Sequence, residues 1–230
     1  MPISEVHNCN CMEFMETLPD KFFDLCIADP PYGISYARGK NGFGVCDNRP
    51  ALEDVKWDSD IPDKSFFDEL LRVSQNVIIW GANQFTHLLP VSKCWIVWDK
   101  CDGTVNKSVF ADAELAWTNM TKVVRLFRLR QLGFMSDTKD ADRIHPTQKP
   151  TELYHWLLNT YMVKRGGKIF DPMMGSGSSR IAAYKLGYDY WGCELDKGYF
   201  DKANERFEKE CHGITRLPDG TTIKQLSLFD

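Results

Sequence analysis

Short runs of apolar, β-branched and aromatic residues recur along the chain and alternate with stretches of helical periodicity. The runs are Glu5–Asn8, Phe23–Ala28, Asn76–Trp80, Cys94–Trp98, Glu114–Trp117, Val123–Phe127, Lys168–Phe170 and Tyr188–Cys193. Strands alternating with helices are the pattern of βαβ units and a largely parallel sheet. A helix is expected over 151–165, with Leu153, Trp156, Leu157 and Tyr161 on one stripe, Pro150 at its start and Gly166-Gly167 as its stop. A second is expected over 178–186, closed by Gly187. A third covers 197–211, with Phe200, Ala203 and Phe207 inward and Glu205 and Lys209 paired outward. Gly33–Asp60 and Gln131–His145 fit neither period and read as long loops, which in compact domains usually carry function. Residues 212–230 read as a loosely attached tail.

At 230 residues the chain suits a single domain, expected over 1–211. Hydrophobic residues at 43% and charged residues at 26% mark a globular class. No apolar run reaches membrane-span length, and MPISEVHNCN lacks the basic-then-apolar order of a leader, so a cytoplasmic location is expected. The eight cysteines form no CxxC pair, and Cys9 and Cys11 stand too close for a zinc site; structural thiols and no metal are expected. The net charge of −4 disfavours a generic nucleic-acid binder, so its distribution matters more. Residues 121–150 hold seven Lys/Arg against three Asp, whereas residues 44–70 hold three basic residues against eight acidic ones. One basic face could meet phosphates; ordinary surface scatter would look similar.

Lys168–Phe170 leads into Asp171-Pro172, then Gly175-Ser176-Gly177 and a helix. Glycines at a strand-to-helix turn let a ligand approach the backbone, and Glu194, at the end of the next run, could accept bonds from ribose hydroxyls. A nicotinamide dinucleotide site has the same layout, although this turn lacks the third glycine of GxGxxG. A tight turn without ligand remains open too.

Phe23–Ala28 reads as a buried central strand that delivers Asp29-Pro30-Pro31-Tyr32 at its C-terminal end, where open α/β sheets bind ligands. Consecutive prolines stiffen this corner and fix the aim of Asp29. An exocyclic amine is a weak nucleophile because its lone pair is delocalised into the ring. Acceptors converging on its hydrogens, such as the Asp29 carboxylate and the Pro30 carbonyl, would free that lone pair for in-line attack on a sulfonium methyl. Tyr32 offers a flat face for an extruded base. A rigid turn alone would explain the prolines but not Asp29 and Tyr32.

With these residues the chain resembles the DPPY-type amino-methyltransferases of DNA, in the permuted (beta-class) branch where the catalytic motif precedes the cofactor motif. Arg143-Ile144-His145-Pro146-Thr147-Gln148-Lys149-Pro150 resembles the family's HPTQKP segment, Phe170–Ser178 its DPFxGSG motif, and Gly192–Asp196 with Tyr199-Phe200 its ribose-binding strand end. The resemblance covers most of 1–36 and 76–211. It implies an α/β, Rossmann-like fold with a mixed, mostly parallel sheet, helices on both faces and one reversed edge strand, 94–98 and 114–117 forming the hairpin. It implies S-adenosylmethionine (SAM) as cofactor. Asp29, Pro30, Pro31 and Tyr32 would be catalytic. Asn10, Cys11, Asp29, Thr147, Gln148, Lys149, Asp171, Pro172, Gly175, Ser176, Gly177 and Glu194 would line the cofactor. Thr147-Gln148-Lys149 would lie near its methionyl part and Asn10 near its adenine, where relatives usually have Asp.

A methyltransferase acting on duplex DNA must flip its target out of the stack. The loops 33–60 and 128–146 are the sizeable regions left for reading DNA, with Arg38, Lys40, Arg125, Arg128, Arg130 and Arg143 as candidate contacts, joined by Lys122 and Arg49. So small a reader predicts a short recognition site or a homodimer. The end Gln225-Leu226-Ser227-Leu228-Phe229 resembles the peptide by which bacterial replication proteins hold the sliding clamp, unless it docks on the chain's own surface. Adenine N6 is the expected target, in a bacterial or phage enzyme of restriction-modification type; the alternatives are cytosine N4, an NAD-dependent oxidoreductase and an inactive DNA-binding subunit. Relatives acting on cytosine more often carry Ser where this chain has Asp29.

Overall fold

A computed structural model describes residues 1–33, 60–104, 111–132, 135–138, 140, 143–145, 147–162, 164–217 and 219–224. The elements run β1 (Ser4–His7), α1 (Cys11–Glu16), β2 (Phe23–Ala28), α2 (Lys64–Val73), β3 (Ser74–Trp80), β4 (Trp95–Asp99), β5 (Ala113–Thr118), β6 (Arg125–Arg128), β7 (Gln131–Leu132), β8 (Met135–Ser136), α3 (Thr151–Tyr161), β9 (Lys168–Asp171), α4 (Ser178–Lys185), β10 (Asp189–Cys193), α5 (Lys197–His212), β11 (Ile214–Arg216) and β12 (Thr222–Lys224). The main sheet has the order β1-β10-β9-β2-β3-β5-β4-β6.

Alternate residues of the central strands feed two apolar layers. Leu25, Ile27, Ile78, Trp80 and Ile169 pack under α3 and α4, while Cys26, Ala28, Val77, Ile79 and Phe170 pack under α1 and α2. The sheet is therefore covered on both faces, as expected for a parallel centre. From β2 the chain crosses by α2 to β3 on one side; from β9 it crosses by α4 to β10 on the other. β2 and β9 are adjacent and parallel, with Leu25 opposite Ile169 and Cys26 opposite Phe170. The direction of winding thus reverses between them, and their C-terminal ends open at a topological switch point.

One strand is reversed, as expected, but it is not at the edge. β5 runs antiparallel to both β3 and β4, and β6 closes the sheet parallel to β4. Ile96 and Trp98 of β4 are 0% and 2% exposed, too apolar for an edge strand, so β6 covers them. The helix expected to 165 stops at Tyr161, because Met162 turns extended (φ −74°, ψ 123°) and packs back beside the first apolar layer and Gly167. The elements absent from the sequence reading include α1, α2 and the short β7–β8 pair, which lies inside the stretch expected as a loop from Gln131. Asp63 caps α2 by accepting from the Ser65 and Phe66 N–H groups, and the helix buries Phe66, Phe67, Leu70 and Val73. Part of the expected loose tail is a hairpin, β11 against β12, turned where Asp219 accepts from the Thr221 N–H. Among the described residues no helix is long and apolar enough to cross a membrane.

Candidate active site

β2 ends one residue before Asp29, and the corner that follows is built around that carboxylate. Tyr32 donates its hydroxyl to Asp29 Oδ1 at 2.7 Å, and Lys149 Nζ lies 2.5 Å from Oδ2. Lys149 also donates to the Tyr32 oxygen at 3.1 Å and faces Glu114 Oε2 at 3.3 Å. Glu114, from β5, is held in turn by Lys100 Nζ at 3.0 Å. Lys149 sits within 5.6 Å of the centroids of both the Tyr32 and Trp80 rings. Only 5% of its side chain is exposed, so these partners are what allow an ammonium there. The two carboxylates hold the Lys149 pKa above its ordinary value against the effect of burial. The Tyr32 ring lies on Gly81, just past β3; a Cβ there would come within 2.0 Å of Tyr32 Cε1.

The neighbouring strand end carries a second set of carboxyls. Asp171 is buried; Oδ1 accepts from the Met173 N–H and Oδ2 from the Ser179 hydroxyl, which also meets the Tyr190 hydroxyl at 3.0 Å. Burial pushes the Asp171 pKa up to about 7, with Asp29 and Glu194 adding repulsion. A carboxyl whose folded pKa is raised binds its proton more tightly than in the unfolded chain, so stability falls as pH climbs from about 4 to 7. Asp171→Asn removes that loss. The stability of the variant relative to wild type is expected to rise across this window and level off above it, in chemical unfolding at each pH. A pH-independent difference would contradict the burial of a titrating carboxyl.

After Asp171 the chain turns through Gly175 (φ +51°) and Gly177 (φ +74°) into α4. Glu194 fixes the turn, accepting from Gly175 N–H and Asp196 N–H, both at 2.9 Å. Ser176 and Gln148 are buried as well. His145 and Lys149 each touch one of the two corners. The nearest atoms to a Cβ on Gly175 would be those of the His145 ring, 4.0 Å away, while Lys149 reaches Asp29. His145 packs edge-on to Tyr199 with centroids 4.4 Å apart. Burial, then Lys149 and Arg143, depress its pKa to about 4, and its Nδ1 accepts from Thr147 N–H, so the ring is neutral with the proton on Nε2. Gln148 Oε1 accepts from Ile144 N–H.

Asn10 caps α1, its side chain accepting from Met12 N–H, and Cys11 is buried behind it. Asn8 reaches across to the carbonyls of Glu194 and Leu195, which places the end of β1 beside that of β10. Arg128 pairs with Asp99 at 3.2 Å and Arg130 with Asp137 at 2.8 Å, both near the C-terminal end of β6, the end of the sheet where Asp29 lies. Arg125 is exposed at the start of β6, roughly 10 Å lower at the usual rise per strand residue. Arg143 is exposed. Arg38, Lys40 and Arg49, Pro146 and the terminal Gln225–Phe229 peptide lie outside the described residues. Among the described residues no His, Cys, Asp and Glu group could hold a metal ion. Sequence reasoning missed Glu114, Lys100 and Gly81. Glu114 left a signal, a lone acid in an apolar strand, since such a residue needs a buried partner.

A family model described as DNA methylase (N6_N4_Mtase) matches residues 86–205. The Type II methyltransferase M2.DpnII of Streptococcus pneumoniae is 23% identical, over 89% of this chain and 89% of its own. The Type II methyltransferase M.HinfI of Haemophilus influenzae is 24% identical, over 87% of this chain and 67% of its own. Among solved structures, the M1.HpyAVI–SAM complex superposes with a TM-score of 0.55 at 19% identity, covering 88% of this chain and 98% of that one. The cytosine-N4-specific PvuII DNA methyltransferase gives 0.58 at 11% identity, covering 90% and 87%. At these identities the structural likenesses speak to the fold.

Proposed function

The chain belongs to the N6/N4 DNA methylase family, a SAM-dependent DNA methyltransferase, and from that premise we propose that it methylates the N6 amine of adenine in duplex DNA, using Asp29 and Tyr32 as the residues that receive the flipped base. The observation that carries this reading is the meeting of two corners. The Asp29 corner and the Gly175 turn leave adjacent parallel strands at one end, with Lys149 at the first and His145 at the second.

The residues at the turn fit SAM. Asp171 and Glu194 flank the turn, and Glu194 adds to the effect of burial in raising the Asp171 pKa, so this end of the cleft carries acidic groups. That field favours a cationic ligand and opposes a dinucleotide pyrophosphate, which argues against the nicotinamide alternative. The neutral His145 adds no competing cation. When bound, SAM supplies a methyl group on a sulfonium centre. Gly175, Ser176 and Gly177 would offer it backbone, Glu194 would accept from its ribose, and Asp171 would support the turn from beneath. Asn10-Cys11 would border its adenine, and Thr147 and Gln148 its methionyl part.

Each oxygen of Asp29 keeps a lone pair beyond those used by Tyr32 and Lys149, and these, with the Pro30 carbonyl, would accept the amine hydrogens. Pro31 keeps the corner stiff, and Tyr32 stacks on the base. Arg128, Arg130 and Arg143 would hold phosphates near the site, with Arg125, Arg38 and Lys40 extending the surface. Incubating the chain with labelled SAM and unmodified DNA, then separating the nucleosides, tests the reading; N6-methyladenine is expected, and N4-methylcytosine would transfer the proposal to the other amine.

Gly81→Ala is expected to push the Tyr32 ring off its seat, because the added methyl would overlap it and the backbone there is left-handed. Loss of base stacking costs about 1–3 kcal/mol, so methyl transfer should fall roughly 5-fold to 150-fold while SAM affinity holds. Equal rates for variant and wild type would remove Tyr32 from base binding. At the chain end, Gln225-Leu226-Ser227-Leu228-Phe229 is proposed as a ligand for the bacterial sliding clamp, and a homodimer as the reading unit. Removal of residues 225–230 is expected to abolish clamp pull-down without changing methyl transfer. Sedimentation would show the dimer.

A further inference from the structure

Lys149 belongs to the segment whose resemblance assigns it to the cofactor, yet its ammonium is engaged with Asp29, Tyr32 and Glu114. An ammonium has three N–H donors. In Lys149 the ammonium donates to the Tyr32 oxygen at 3.1 Å and forms ion pairs with Asp29 Oδ2 at 2.5 Å and Glu114 Oε2 at 3.3 Å. The Tyr32 hydroxyl then donates to Asp29 Oδ1, so Lys149, Tyr32 and Asp29 close a ring of hydrogen bonds. Behind the ring, Glu114 bridges to Lys100, which leaves two cations and two carboxylates in one balanced group. We propose that Lys149, seated by Glu114, is a positioning residue that fixes the orientation of the Asp29 carboxylate toward the target amine, and that it does not bind the cofactor.

The physical case is one of geometry and solvation. Asp29 follows the last residue of β2 and two prolines follow it, so its backbone is set; its side-chain torsions are not. One partner on each oxygen, the two partners themselves linked, restricts the orientation of the carboxylate. Lys149 follows His145, whose ring lies 4.0 Å from where a Cβ on Gly175 would be, so this hold also ties the Asp29 corner to the Gly175 turn. A buried lysine with only one carboxylate would compete for the same lone pairs that the amine needs. Glu114 shares the ammonium, and Lys100 offsets Glu114 in turn. The charged and titratable groups around Asp29 come from four further elements or loops: Lys149, Glu114, Asp171 and Tyr154, besides Tyr32.

The inference deepens the reading of Asp29 as acceptor and rests on it. Three substitutions in the full chain test both: Asp29→Asn, Lys149→Met, and Lys149→Met combined with Glu114→Gln, which keeps the charges balanced if the single variant fails to fold. The measurements are single-turnover methyl transfer with labelled SAM, SAM affinity by calorimetry, and DNA affinity by anisotropy. Expected for the double variant is a rate loss of about a hundredfold with both affinities within about threefold, the split of a group that acts on the transition state alone. A tenfold or greater loss of SAM affinity would overturn the proposal and return Lys149 to the cofactor. Parallel loss of both affinities would also overturn it, as a structural role. If Asp29→Asn loses its rate while the double variant keeps it, the inference fails and the function stands. If Asp29→Asn keeps its rate, the reading of Asp29 fails first.

Discussion

Asp29→Asn is expected to lower the single-turnover rate of methyl transfer by about a thousandfold or more, and to leave the SAM dissociation constant within about threefold. The amide has nearly the shape of the carboxylate, so β2 and the proline corner have no reason to move. What changes is charge and donor direction. An amide offers one accepting oxygen instead of two, and its NH2 group faces either the Tyr32 hydroxyl or the Lys149 ammonium, each now left with a donor opposite a donor. The amine of the base then loses an acceptor at the moment its lone pair must leave the ring. Rapid-quench assays with labelled SAM, beside calorimetry of SAM alone, separate the two quantities. A variant that transfers methyl at the wild-type rate would place the chemistry elsewhere in the cleft.

Some of this was readable from residues in order, and the part that was not has a physical cause. β2 was expected over Phe23–Ala28 and spans those residues, because a continuous apolar run bounded by Asp and Pro admits few alternatives. The turn at Gly175 was readable for the same local reason. The place of β5 was not: a hairpin pattern says that β4 and β5 pair, not which of them meets β3. That is settled by which strand carries residues that β6 must cover. α2 had a legible pattern in Phe66, Phe67, Leu70 and Val73 with an Asp63 cap, but it follows a polar stretch whose loop character overshadowed it.

The site divides along the same line. Asp29, Tyr32, Asp171 and Glu194 announce themselves through motifs, whereas the direction of the Lys149 ammonium is a tertiary fact. Its partners stand 120 and 35 positions away in the chain, on β2's end and on β5. Gly81 was silent for the same reason, since its need for a bare Cα comes from Tyr32 and not from its neighbours. Motifs name the groups a reaction needs; long-range packing decides which of those groups touch.

Arg206 makes the second large effect expected from this structure, and it lies outside every motif. Its side chain is 1% exposed, and the guanidinium reaches Asp140 at 3.1 Å and Glu210 at 2.8 Å. It also donates to the Ser178 hydroxyl at 2.8 Å, the Ser176 carbonyl at 3.2 Å and the Thr151 hydroxyl at 3.1 Å. α5, the start of α3, the segment at 140 and the turn after Gly175 therefore share one buried cation. Arg206→Ala leaves Asp140 without that partner in a site that excludes water, and such a loss costs about 3–5 kcal/mol. At about 2–4 °C per kcal/mol for a chain of this size, the melting temperature should drop by roughly 6–20 °C. Because the Ser176 carbonyl loses its anchor, SAM should also raise the melting temperature of the variant less than that of wild type. Thermal unfolding with and without SAM reads both. A melt within about 2 °C of wild type, well under the change expected from one unpaired buried charge, would mean that Asp140 and Glu210 find other partners and that the turn does not depend on α5.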